Sequence, residues 1–208
     1  MQAEKHQSWG FVVYRTTYES QADWEECLRR VQFEIADHLA QSGASILLNS
    51  HVLTILDDRE SFNNADTTAI RQYFQQWVAE AVSREQPDAI ATRPVDLRTF
   101  APRYYYCIQI DAAALESVVN ARRKELTNDT THPGWVKLID REWRPRADDP
   151  RWQNRPPPSQ EEAIEGTTDP DVGWCKINYI DLVPCYAQCT DYNGWPGFYR
   201  RPPMLANV

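Results

Sequence analysis

Apolar and polar residues alternate through "WGFVVYRTTY" at 9–18, with Phe11, Val13, Arg15 and Thr17 on one face and Val12, Tyr14, Thr16 and Tyr18 on the other. Both faces begin apolar, so the pattern predicts a strand covered on both sides near its start. The period then changes. Trp24, Leu28, Val31, Ile35 and Leu39 recur at spacings of three and four, which predicts a long helix closed by Gly43. "HVLTIL" at 51–56 predicts a second strand, and Ile70, Phe74, Trp77, Val78 and Ala81 form the buried stripe of a second helix over roughly 65–83. Three further runs read as strands: "RYYYCIQI" at 103–110, "GWVKLIDREWR" from 134 and "GWCKINYI" at 173–180. Asp111 caps a short helix, "AAALESVV", and another short helix runs to Ala187.

This order predicts an α+β fold: a two-layer sandwich, a mixed β-sheet with helices packed on it, ferredoxin-like or related. A doubly wound fold fits less well, because the later strands follow one another with only a loop between them. The 208 residues suit one domain spanning 1–208. It carries a long arginine- and proline-rich loop at about 143–172 and an aromatic tail at about 190–208. Tyr192, Trp195, Phe198 and Tyr199 make that tail a segment expected to pack back on the body.

Charge narrows the partners. The net charge is −8, yet within 141–158 five arginines outweigh three acids. An acidic body argues against indiscriminate binding of nucleic acid and leaves room for a local basic patch. No apolar run approaches the roughly 18 residues of a membrane span and no signal-peptide core is present, so the chain reads as soluble and cytoplasmic. Five scattered cysteines read as reduced structural thiols, and the four histidines show no metal-ligand spacing. No phosphate-cradling glycine loop and no nucleophile elbow occur, so no cofactor or metal is expected.

The candidate chemistry lies at strand ends. Asp57 and Asp58 follow the second strand, Asp111 the third and Asp181 the fifth, and such ends cluster along one rim of an α/β layer. Arg15 follows two large apolar residues on its face and needs a carboxylate, a phosphate or water there, with Asp57 or Asp111 in reach. Lys176 shares a strand face with Trp174 and Asn178, which aims its ammonium at a polar cavity or at solvent. Tyr104, Tyr105 and Tyr106 fall on both faces of one strand, and Trp143 and Trp152 flank arginines. Paired carboxylates of this kind serve as general bases or grip a cationic ligand.

"YRTTYESQADW", the "DDRE" after the second strand, "YCIQIDAAALESVV" and "GWCKINYIDLVPCYA" resemble a set of small intracellular fungal proteins, over roughly 9–190. Through them the chain is similar to the arginine-containing cyclodipeptide synthases of fungal secondary metabolism. That resemblance implies an aminoacyltransferase that draws arginine and a second amino acid from aminoacyl-tRNA and closes them into a diketopiperazine. It implies Asp111 as base, Tyr18 as donor to the carbonyl oxygen and Arg15 as organiser of the carboxylates. Asp57, Asp58, Thr17, Trp174 and Lys176 would contact the amino-acid substrate. Arg122, Arg123, Lys124, Arg144, Arg146 and Arg151 would contact tRNA phosphate. Bacterial cyclodipeptide synthases use a serine nucleophile on a Rossmann-like scaffold, and neither is legible in this chain. Two other readings stand beside it: a cofactor-independent cyclase or isomerase acting on a small metabolite, and a non-catalytic protein-interaction module.

Overall fold

The structure is a computed structural model that describes residues 8–85, 101–121, 134–149, 161–191 and 194–208. The strands are β1 (Val12–Arg15), β2 (Thr54–Leu56), β3 (Tyr106–Ile110), β4 (Trp135–Asp140) and β5 (Trp174–Asn178). The helices are α1 (Gln21–Gln41), α2 (Arg59–Phe62), α3 (Thr67–Glu85), α4 (Pro102–Tyr105), α5 (Ala112–Asn120), α6 (Leu182–Gln188) and α7 (Gly194–Phe198). Short 3-10 turns occupy Ser45–Ser50, Arg146–Asp148 and Tyr179–Asp181. Among the described residues no helix is long and apolar enough to cross a membrane.

The five strands form one mixed sheet in the order β2-β1-β3-β4-β5. β1 lies between two parallel neighbours, whereas β3, β4 and β5 are joined antiparallel. β1, β2, β3 and β5 therefore point one way and only β4 is reversed. This is the expected α+β fold, with helices packed on an open mixed sheet. Its strand order differs from a ferredoxin-like sandwich, in which β1 would not sit between two parallel strands.

The alternation in β1 decides where each helix goes. Phe11 and Val13 meet Trp24, Cys27, Val31, Ile35 and Leu39 of α1, together with buried residues of α5, α6 and α7. Val12 and Tyr14, on the opposite face, meet Ile70, Phe74, Val78 and Ala81 of α3. The expected two-layer packing thus describes the α1 side, and α3 adds a further layer on the other. Ser20 begins α1 by accepting from the Asp23 N–H at 3.2 Å. The rings of the tail are placed against this body: Trp195 stacks on Tyr106 at 5.5 Å and donates from Nε1 to Asp171 at 2.9 Å. Past α7, the chain pairs with the outer edge of β5, where the Ala206 N–H donates to the Lys176 carbonyl at 2.8 Å.

One expected strand starts later than its sequence suggests. Arg103, Tyr104 and Tyr105 belong to the helical turn α4, so of the three tyrosines only Tyr106 lies in β3. Pro102 opens that turn, where a missing N–H costs nothing. The turn aims Arg103, only 1% exposed, at the amino ends of β1 and β2. Its guanidinium makes a bidentate pair with Glu85 at 2.8 and 2.9 Å. It also donates to the carbonyls of Gly10 and Val52, each at 3.0 Å, and to Thr54 Oγ1 at 2.6 Å. Gly10 has φ +115° and passes so close to Val52 that a Cβ would lie 2.7 Å from its carbonyl oxygen. Glycine is required there by backbone conformation and by space.

Removing one partner of a buried pair strands the other, so Arg103→Met should cost about 3–5 kcal/mol in urea unfolding. Burial alone would raise the Glu85 pKa, but the Arg103 hydrogen bonds and charge outweigh it and hold it below the usual value. The pair's contribution is therefore present above the ordinary glutamate pKa of about 4.3 and lost as pH falls through the lower folded value. Equal acid sensitivity of wild type and Glu85→Gln would contradict this assignment.

Candidate functional site

Because four of the five strands run the same way, Asp57, Asp111 and Asp181 all follow strand ends on one edge of the sheet. β1 is joined in sequence to β2 on one side and β3 to β4 on the other, so the carboxyl ends of β1 and β3 flank the point where the topology diverges. Arg15, Thr17, Tyr18, Asp57, Asp58, Asp111 and Lys176 lie at this rim or immediately beyond it. They separate into two groups.

Arg15 is enclosed on the α1 side. Its Nε donates to the Thr17 carbonyl at 2.9 Å, and Nη1 donates to Gln21 Oε1 at 2.9 Å and Asp57 Oδ2 at 3.1 Å. Its guanidinium carbon lies 4.5 Å from the Tyr18 ring centroid and 4.9 Å from that of Trp24. Tyr18 donates from its hydroxyl to the Arg15 carbonyl at 3.0 Å. Burial, then the Asp57 charge, pushes the Tyr18 pKa up to about 12. Asp58 caps α2, accepting from the N–H groups of Glu60 and Ser61 and from the Ser61 hydroxyl. These contacts make the Arg15 group a brace between β1, β2 and the start of α1.

The second group lies on the α3 side and follows from strand register. Tyr14 pairs with Gln109, Gln109 with Lys137, and Lys137 with Lys176, so four polar side chains cross the sheet in one row. Lys137 Nζ meets Asp111 Oδ2 at 3.1 Å and Glu165 Oε1 at 3.5 Å, and stands 4.4 Å from the Trp174 ring centroid. The other Asp111 oxygen accepts from the Ala114 N–H at 2.8 Å, so the expected helix cap is also an ion-pair partner. Lys176 Nζ rests 3.9 Å from the Trp135 ring centroid and, among the described residues, has no carboxylate within ion-pair distance. Burial lowers the Lys176 pKa, Asp111 acts in the opposite sense and Lys137 adds to the lowering.

Among the described residues, four buried polar atoms in this layer lack a hydrogen-bond partner: Tyr14 Oη, Thr67 Oγ1, Gln109 Oε1 and Trp174 Nε1. The Gln109 amide nitrogen is used, donating to the Ala65 carbonyl at 2.9 Å and to Thr16 Oγ1 at 3.2 Å. Gln109, Lys137 and Glu165 did not stand out as site residues in the sequence. A signal existed for the first two: each interrupts an otherwise apolar strand, in "YCIQI" and "WVKLID". Glu165 reaches Lys137 from a loop with no pattern to mark it.

Other candidates lie elsewhere. β4 ends at Asp140 opposite Tyr106, the first residue of β3, so Arg144 and Arg146 follow the sheet's amino edge, away from the carboxylate rim. Arg144 is exposed, and the Arg146 N–H donates to Asp169 Oδ2 at 2.7 Å. Arg122, Arg123, Lys124, Arg151 and Tyr192 lie outside the described residues. All five cysteines are buried free thiols, and burial pushes the Cys27 pKa up to about 12. Among the described residues no group of three His, Cys, Asp or Glu side chains is placed to hold a metal ion.

The amino edge holds a titratable group that sequence reasoning passed over. Burial raises the Asp140 pKa to about 7; the Glu142 N–H and Arg71 act against the shift and the Asp171 charge adds to it. The folded chain thus keeps a proton that an unfolded aspartate loses near pH 3.9. Stability tied to this group is full below about pH 4 and declines as pH rises toward the folded value. Asp140→Asn should flatten the fall in urea midpoint between pH 5 and pH 8, and an unchanged slope would count against it. No protein-family model, curated protein or solved structure matches this chain.

Proposed function

We propose that the α3 side of the carboxyl rim is the active site of a cofactor-independent enzyme, a cyclase or isomerase working on a small metabolite by acid/base chemistry. The polar row through Gln109, Lys137 and Lys176 carries this reading. An orphaned buried polar group costs about 1–3 kcal/mol, and native proteins hold few of them. Among the described residues, four such atoms lie in the layer that also buries Lys137. A ligand or ordered water with matching donors and acceptors would offset that cost. In this reading Asp111 is the base, oriented by the Ala114 N–H and Lys137. Trp135 and Trp174 are the walls, and Lys176 is the half-buried amine facing the substrate.

The aminoacyl-tRNA-dependent synthesis of an arginine-containing cyclodipeptide would use the same Asp111. It draws less support from the surroundings. Asp57 is engaged by Arg15 and Asp58 by the start of α2, so a substrate guanidinium would meet carboxylates that already have partners. Arg144 and Arg146 do not lead toward the rim. The interaction-module reading needs an exposed apolar patch on the tail, where Trp195 and Phe198 are instead buried and Met204 alone is a large apolar side chain exposed among the described residues.

One experiment separates the three. Purified wild type and Asp111→Asn, checked for equal folding, are incubated with a metabolite extract and, in parallel, with charged tRNA. Mass spectrometry should find a small metabolite consumed by wild type, with at least tenfold less consumption by Asp111→Asn. An arginine-containing diketopiperazine from charged tRNA would instead establish the synthase. Neither change in either mixture would overturn both enzymatic readings.

A further inference from the structure

The chain holds eighteen arginines and only four lysines. Two of the four, Lys137 and Lys176, are direct cross-strand partners on adjacent strands. Among the described residues, the other buried cations are arginines: Arg15, Arg71, Arg103 and Arg141. Arginine holds its proton under all ordinary conditions, whereas lysine can release one and expose a nucleophilic lone pair. Both lysines among the described residues therefore lie in this row, and both are cations that can become neutral amines.

The two lysines are not equivalent. Lys137 is 8% exposed and is engaged by Asp111 and Glu165 on one side and the Trp174 ring on the other. Lys176 is half-buried and keeps a path to solvent, and only the Trp135 ring faces its ammonium at contact distance among the described residues. The ring favours the charged form and fixes where the amine rests. Lys137 across the register favours the neutral one, since two ammonium groups on one face repel. Asp111 is shared: its ion pair is with Lys137, and its charge also acts on Lys176.

We propose that Lys176 is a reactive amine that forms an imine with the carbonyl group of a small aldehyde or ketone substrate, with Lys137 opposite it as the proton donor. The inference rests on the reading of this rim as an active site and specifies its substrate class. In the step, the neutral Nζ attacks the carbonyl carbon and a C–N bond forms. The carbonyl oxygen takes one proton to become the carbinolamine hydroxyl and a second as the C–O bond breaks, so it leaves as water. The amine loses both of its protons overall, one for each C–N bond, and a protonated imine results when the nitrogen takes one back. Lysines activated by a neighbouring cation and partial burial are known to work this way.

The test uses the full chain with glyoxylate or acetaldehyde as probe and cyanoborohydride as hydride donor. Reduction of the imine leaves a carboxymethyl or ethyl group on nitrogen, located by peptide mass spectrometry. At neutral pH Lys176 should be modified at least about tenfold faster than Lys137 and than free Nα-acetyllysine amide. Lys137→Met should move the pH profile of Lys176 modification to higher pH, because a repelling charge is gone and two carboxylates are released. An unmoved profile would remove Lys137 from the proposal. Lys176→Arg keeps the charge and guards against loss of folding, and it should give no adduct at this position. Modification of Lys176 no faster than the free amine would overturn the proposal. A fast Lys176 adduct without metabolite turnover would keep the reactive amine and remove the metabolite enzyme. Turnover that depends on Asp111 without any Lys176 adduct would do the reverse.

Discussion

The guanidinium of Arg103 sets the terms for the rest of the molecule. A central strand flanked by parallel neighbours, with helices on both faces, leaves its end carbonyls away from water, where each needs a donor. Arg103 supplies donors to Gly10 and Val52 while Glu85, from the far end of α3, balances its charge. Two more buried arginines work along the same edge. Arg71 donates to the carbonyls of Asp140 and Gly173, and Arg141 to that of Tyr104. The amino edge is thereby closed by fixed cations. Among the described residues, the polar groups without partners belong to the layer under α3, alongside the lysine row, and that asymmetry separates the closed edge from the proposed site.

Much of this was legible because it depends on period and direction. The α1 stripe, the cap at Asp111 and the carboxylates on one rim all follow from local pattern plus strands that point the same way. The α3 layer was half visible: Val12 and Tyr14 predicted cover on a second face, while the order of elements suggested two layers. What stayed hidden was pairing across long separations. Arg15 could choose between Asp57 and Asp111 in the sequence, and the register gave Asp57 to Arg15 and Asp111 to Lys137. Arg103 was hidden differently. It sits in a run of aromatic residues that reads as strand, and only the placement of Pro102 turns that run into a helical turn.

The brace and the polar row are not independent. Thr16 lies between Arg15 and Thr17, and its hydroxyl accepts from the Gln109 amide while donating to the Ile110 carbonyl at 3.3 Å. Its own carbonyl accepts from the Asn64 N–H at 3.0 Å, on the chain leading into α3. Arg15 fixes the backbone on either side of Thr16 through the Thr17 carbonyl and Asp57. The position of Gln109, and with it the centre of the row, is thus held from the opposite face of the sheet. A site needs its contacting groups held by a second set of interactions, and here a fully enclosed cation provides one. The arginine that first called for a carboxylate partner would act on the proposed chemistry by keeping β1 still, and the lysines of the row lie two and three strands away.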